Sequence, residues 1–382
     1  MLPLADALGC VTATEIVAGA DVPPFANTAM DGFAVRAADT TGAPASLEVV
    51  GTLAAGSAPD RHVGPGQAVR IMTGAPIPPG ADAVVMVERT SGGDDGRVTV
   101  EVTARPGDHI RGAGDDLRVG QVVFEPLTVL SPGHLGVLAS LGHPEVSVVP
   151  PARVGVLSTG DELVDGPGPL RLGQIRDSNR PTLLGLVRQA GCVPVDLGRA
   201  PDDEAAITAA VEDGVDRCDA LITSGGVSVG DFDYVKVVLD RLGAMSWWQV
   251  AVKPAKPLAF GVVAGRPVFG LPGNPVSSMV SFELFARPAL RRMTGHHRLF
   301  RPHVQAVADE GLRRRPDGKV HLVRAVASYG DDGRYHVTPS GGQGSHLLRA
   351  MALANALAVL PDGEGVEEGG TVTAMLLDSL DG

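Results

Sequence analysis

The rhythm of hydrophobic and polar positions changes along the chain, and the changes divide it. Between 27 and 112, short runs such as 83–88 and 97–102 alternate apolar with polar residues, with Gly and Pro between them. Alternation of period two marks half-buried strands, so the pattern predicts a β-rich domain over 27–112. Residues 1–26 read as a short helix-prone lead ending at Pro23-Pro24. Over 120–150 the apolar spacing becomes helical and predicts a helix at 133–141, with Pro132 in its first turn and Gly142 past its end. We assign 1–26 and 113–150 together to an N-terminal and linker domain.

Beyond Pro150-Pro151 the texture alternates on a longer scale. Apolar strands are expected at 154–158, 193–197 and 220–223. Helices are expected from the Asp177-Ser178-Asn179 caps to Gly191, from Asp202 onward, and over 233–242. Strands alternating with helices imply a parallel sheet covered on both faces, so 151–300 reads as a doubly wound α/β domain. After Arg301 the helical signal fades into short strands and turn pairs, consistent with a C-terminal β barrel over 301–382. The fold class is multidomain α/β plus β.

Composition narrows the function. A net charge of −12 without long like-charged runs disfavours nucleic acid or an anionic membrane as partner. No apolar run approaches the roughly 18 residues of a membrane helix. No basic residue precedes Arg36, so the apolar start is not a secretory signal. Cys10, Cys192 and Cys218 are odd in number and lack metal-ligand spacing, which fits a reduced, cytoplasmic protein without structural zinc. Aromatics are only 4%, which argues against base-stacking platforms.

Chemistry concentrates in 223–275. The chain carries most of its positive charge as Arg and has four Lys, of which Lys236, Lys253 and Lys256 fall in this stretch. Lys is a compact point charge and a common phosphate ligand, although solvated surface charge is the competing role. Three glycine loops are expected at the carboxyl ends of the strands: STGDEL (158–163), SGGVSVGDFD (224–233) and GLPGNP (270–275). Ligands of open α/β sheets bind there, and each loop offers backbone amides near a helix start. None matches a Walker loop or a dinucleotide fingerprint. Asp161, Glu162, Asp202, Asp231 and Asp233 accompany the loops, and carboxylates beside a phosphate site suggest Mg²⁺. Capping is the alternative role for Asp202 and Asp233. In the β-rich part, Asp31 in a DG pair reads equally as a turn former, and Asp115 and Asp116 as solvated charges. Ser345 has no His/Asp elbow and His346 no paired ligand, so a hydrolase triad is disfavoured.

Taken together, AMDGFAVR, RIMTGAP, IRGAGDD, STGDEL, DSN, SGGVSVGDFDYVK, KPAKP, GLPGNPVS and GQGSH resemble the molybdopterin molybdenumtransferase (MoeA) family, to which the gephyrin C-terminal domain is related. The resemblance runs from about residue 3 to 375. It implies a four-part L-shaped subunit, a homodimer with its cleft between the α/β domain of one copy and the β-rich domain of the other, and a molybdopterin-binding role for the α/β domain. It implies insertion of molybdenum from molybdate into adenylylated molybdopterin, with Mg²⁺ assisting and AMP leaving. Carried over by position, Asp31, Asp116, Glu162 and Asp233 are catalytic. Thr73, Arg111, Asp202, Ser224, Gly225, Gly226, Lys253, Lys256, Pro272, Pro275 and Ser345 bind substrate, and Glu162, Asp202 and Asp233 hold the metal. The pathway's adenylyltransferase is a possible partner. A binding scaffold without catalysis and an adenylyltransferase are the alternative functions. The chain departs from the family pattern at Gln249, where many members carry Lys, at Ala255, where KPGKP is usual, and in its start at LPLADALG.

Overall fold

The computed structural model describes residues 1–92, 95–226 and 234–377; Asp231 and Asp233 therefore lie outside the described residues. The chain falls into two units, one of residues 1–8 and 12–148, the other of 9–11 and 149–382.

In the first unit, alternating runs form a six-stranded sheet in the order Ala83–Met86, Gly32–Val35, Gln67–Ile71, Ala45–Leu53, Arg97–Val100, Thr90–Gly92. Both faces are covered. Phe33, Val35, Leu47, Ala68, Val85 and Val98 pack on one. Ala34, Leu53, Val69, Ile71 and Val84 pack on the other. Gly32 is obligatory, because a Cβ there would lie 2.0 Å from the Val85 carbonyl oxygen. The linker helix spans Pro132–Ser140, closed at its start by a Ser131–His134 capping box. Residues 1–26 are not helical beyond a three-residue turn at Leu4–Asp6. Their backbone pairs at long range instead: Leu2–Pro3 with Glu145–Val146, and Ile16–Val17 with Val122–Phe124. Tertiary pairing overrides a weak local helix preference here.

In the second unit, six strands run in the order Val193–Ala200, Arg153–Thr159, Ala220–Ser224, Arg266–Leu271, Pro257–Val263, Gly243–Gln249. The first four are parallel. The last two form an antiparallel extension that the sequence reading lacked. Strand alternation sends Val154, Val156, Ile222 and Leu271 to one face, under helix Asn179–Gln189 and the helical run from Pro275 to Met293. It sends Leu157, Leu221 and Val268 to the other, under helices Glu204–Arg217 and Tyr234–Leu242. The sheet is thus doubly wound. Five strands, His303–Ala308, Val320–Tyr329, Tyr335–Pro339, Ala356–Leu360 and Thr371–Leu376, close into a barrel. A short strand, Val252–Lys253, joins it in parallel with Val320–His321. Among the described residues no helix is long and apolar enough to cross a membrane.

Candidate functional site

Parallel register sets Ser158, Ser224 and Leu271 in one row, with Thr159 opposite Ala200. Four neighbouring strands therefore release their chain at one edge. The loops that leave carry Asp161-Glu162, Pro201-Asp202, Gly225-Gly226 and Pro272–Pro275. The first loop leads into the short strand Leu163–Val164, not into a helix as expected. Gly225 has φ +99°, and a Cβ there would sit 2.8 Å from the Thr159 carbonyl oxygen, so only glycine lets the loops close on one another. Asn179 ties two of them: its Nδ2 donates to Ser224 Oγ at 2.8 Å and to the Gly273 carbonyl at 2.7 Å.

The acids separate into roles. Asp203, not Asp202, caps helix Glu204–Arg217, accepting from the Ala206 amide at 2.8 Å. Asp202 is left facing the neighbouring loop. Its amide donates to Asp161 Oδ1 at 3.1 Å, and the Asp161 amide to Asp202 Oδ2 at 3.4 Å. Glu162 is exposed beside them, over Gly160, whose absent Cβ leaves room for its carboxylate. Asp177 is committed to Arg180, which also bridges Asp196 and Asp165. Burial opposes the Arg180 charge, but the hydrogen bonds to Asp196 and Asp177 outweigh it and raise its pKa. No group of three His, Cys, Asp or Glu side chains able to hold a metal occurs among the described residues, and Asp233 is not among them.

The lysine turn meets the barrel. Ala255, between Lys253 and Lys256, is buried in one cluster with Val276 after Pro275, Leu322 on a barrel strand, and Met351. Ser345 joins the same neighbourhood, its carbonyl accepting from the Val276 amide at 3.2 Å. Lys253 and Lys256 are exposed, and Pro272 is buried. Lys236 lies 5.4 Å over the Trp247 ring, a cation–π contact. Two residues away from Leu322, the sequence reading missed Arg324. This side chain is fully buried. Its Nη2 donates to the Gly342 carbonyl at 2.7 Å, while Nε and Nη1 are buried without a partner among the described residues. Gln343 pins the glycine loop against the Arg324 backbone, accepting from its amide at 2.9 Å and donating to its carbonyl at 3.1 Å. Burial pushes the guanidinium pKa down, so an anion would relieve a real cost here.

The first unit holds its own group. Asp31 and Thr73 flank the paired strands Gly32–Val35 and Gln67–Ile71. Asp31 Oδ1 accepts from both the Thr73 amide and hydroxyl at 2.6 Å. These two bonds, with Arg70 nearby, hold its carboxyl below the usual carboxylate range. Asp31 is therefore more than a turn former. Arg111 is exposed and placed by pairing with Asn27. Asp115 accepts from the Gly112 amide at 2.6 Å and shapes its own turn. Asp116 is exposed, and its amide donates to the Val22 carbonyl at 3.0 Å.

Three family models match in order: "MoeA N-terminal region (domain I and II)" over residues 1–142, "Probable molybdopterin binding domain" over 155–292 and "MoeA C-terminal region (domain IV)" over 306–377. A molybdopterin molybdenumtransferase of Haemophilus influenzae is 40% identical, covering 97% of this chain and 92% of the relative. One of Mycobacterium tuberculosis, molybdopterin molybdenumtransferase 2, is 42% identical over 94% of this chain and 90% of its own. The crystal structure of a molybdopterin biosynthesis MoeA protein from Pyrococcus horikoshii superposes with a TM-score of 0.81 at 30% identity, covering 99% of this chain and 94% of that one. Full-length similarity of this kind, over units that hold these strand-end loops and acids, shows that the chain belongs to the molybdopterin molybdenumtransferase (MoeA) family of molybdenum cofactor biosynthesis.

Proposed function

We propose that this enzyme inserts molybdenum from molybdate into adenylylated molybdopterin and releases AMP, acting as a cytoplasmic homodimer with Mg²⁺. The observation that carries the reading is Arg324: a buried guanidinium whose Nε and Nη1 have no partner among the described residues, two positions along its strand from Leu322, which clusters with Ala255 of the Lys253–Lys256 turn. A tetrahedral oxyanion such as molybdate supplies the missing acceptors and the missing negative charge. Lys253 and Lys256 add point charge at the mouth, and Ser345 fixes the glycine loop to the start of helix Pro275–Ser281.

The rim of the sheet serves the other substrate. Ser224 and the Gly226 amide bind phosphate oxygens, while the Gly225 amide is committed to the Leu271 carbonyl at 3.1 Å and only shapes the loop. Glu162 and Asp202, exposed on adjacent strand ends, fit Mg²⁺, which takes one or two carboxylates and completes its shell with water and phosphate oxygens. Asp233 would be a third ligand. When bound, the ion supplies charge neutralisation at the phosphoanhydride. Asp31, kept ionised by Thr73, orients donors of the substrate, and Arg111 pairs with its anionic groups.

The experiment is incubation of the purified protein with adenylylated molybdopterin, molybdate and Mg²⁺. AMP release that requires molybdate is expected. Consumption of ATP with plain molybdopterin, or no molybdate dependence, would refute the reading.

A further inference from the structure

We propose that Asn179 is a positioning residue for the reaction, acting through Ser224: it fixes which way the Ser224 hydroxyl proton points. The inference rests on the proposed binding of the adenylylated substrate at the sheet edge. Gly273 offers only a carbonyl, so the Asn179 atom 2.7 Å from it must be the amide nitrogen. The same nitrogen, 2.8 Å from Ser224 Oγ, fills one acceptor position of that hydroxyl with its second N–H. A serine hydroxyl has a single proton. With Asn179 donating to the oxygen, that proton is left for a different acceptor, and no protein acceptor for it is found among the described residues. Ser224 is 2% exposed, so the cost of an unused donor is real.

The neighbourhood supports a ligand here. Strand parity puts Ser158 and Ser224 on the sheet face covered by the Asn179 helix, at the polar end of an otherwise apolar stack. Among the described residues Ser158 Oγ, fully buried, has no partner, and neither has Asn179 Oδ1. Hydrogen bonding among the described residues therefore does not account for this polar row. A phosphate oxygen of the substrate, accepting the Ser224 proton, does.

The test turns on charge polarity at nearly constant shape. In Asn179→Asp the carboxylate can only accept. It takes the Ser224 proton inward and removes the outward donor. Equilibrium binding of adenylylated molybdopterin, measured without molybdate so that no turnover intervenes, is expected to weaken about 10- to 100-fold, the value of one hydrogen bond to a charged group. Ser224→Ala should weaken it by a similar factor. The double variant should be little worse than either single, because both remove the same bond. Molybdate binding should stay unchanged in all three. Asn179→Ala, which leaves the hydroxyl free to rotate, should weaken binding less than Asn179→Asp, and it serves as the second variant if the Asp form does not fold. Multiplying effects in the double variant, or an Asn179→Asp affinity equal to wild type, would overturn the inference. A wild-type protein that binds no adenylylated molybdopterin would overturn the underlying function instead.

Discussion

Arg324→Met separates stability from function most sharply. Methionine keeps much of the aliphatic volume and removes the charge. Nε and Nη1 are buried and have no partner among the described residues. Each such donor costs about 1–3 kcal/mol, so their removal recovers about 2–6 kcal/mol. The bond from Nη2 to the Gly342 carbonyl is lost, at about 1.5–3 kcal/mol for a charged donor. The net expectation is a gain of about 1–3 kcal/mol. In a unit of this size that raises the melting temperature by about 3–8 °C in calorimetry. Molybdate binding should move the other way. Losing two charged hydrogen bonds is worth about 3–6 kcal/mol, or at least a hundredfold in affinity by titration calorimetry. Active sites commonly trade stability for function in this manner. A variant that melts lower than wild type would refute the orphan-donor bookkeeping. One that melts higher yet binds molybdate normally would refute the anion site.

Other expectations follow from single contacts. Thr73→Val removes the hydroxyl that donates to Asp31 while leaving the amide, so the Asp31 pKa should rise toward the ordinary carboxylate value, read by NMR titration. Its depressed folded value means that its stabilising contribution holds above the ordinary carboxylate pKa and is lost as pH falls through the folded one. His296 is buried beside Arg291 and Arg287, and burial first, then Arg291, pushes its pKa below 6.5. The unfolded chain then binds the extra proton, so the denaturation midpoint should fall as pH drops below about 6.5, and His296→Gln should flatten that slope. Glu283 is buried and accepts from Arg301 at 2.8 Å on both oxygens, with Arg287 at 3.6 Å. Glu283→Gln should cost about 3–5 kcal/mol in urea unfolding, because it leaves buried guanidinium charge uncompensated.

The parallel core was legible because buried strands are short apolar runs bounded by turn residues, and 154–158 and 220–223 are such runs. The antiparallel extension was not. Gly243 reads as a helix stop, yet it opens the strand Gly243–Gln249, because its bare Cα lets the Val262 carbonyl approach where a Cβ would be 2.3 Å away. At the site, glycine and acid positions could be read in sequence, but the division of labour between neighbours could not. Asp202 and Asp203 are equivalent as letters, and only the start of the helix shows that Asp203 caps. Arg324 left one usable signal, a charge at the same parity as Val320, Leu322 and Val326, in the middle of a row whose other polar member is Ser328 near the strand's end. Asn179 looked like a cap because its real partners, Ser224 and Gly273, are 45 and 94 residues away.

Ala255 tests whether a departure from the family pattern carries a cost. Its φ is +87°, a left-handed value that L side chains adopt reluctantly, and this is why glycine suits the middle of this turn. The strain is about 1–2 kcal/mol. Against it, the Ala255 methyl is 1% exposed and packs with Val276, Leu322 and Met351, worth about 0.8 kcal/mol of burial. Alanine also restricts the unfolded chain relative to glycine, worth about 0.4–1 kcal/mol. The two sides offset to within about 1 kcal/mol. Ala255→Gly should therefore leave the melting temperature within about 3 °C of wild type. Molybdate affinity should also be retained, because Lys253 and Lys256 keep their places on either side of the turn. A stabilisation above about 2 kcal/mol would mean that the methyl packs to no benefit. A destabilisation of that size would mean that the cluster joining the lysine turn, the Pro275 helix and the barrel depends on this one carbon, and that the turn's conformation is set by packing and not by the residue's own preference.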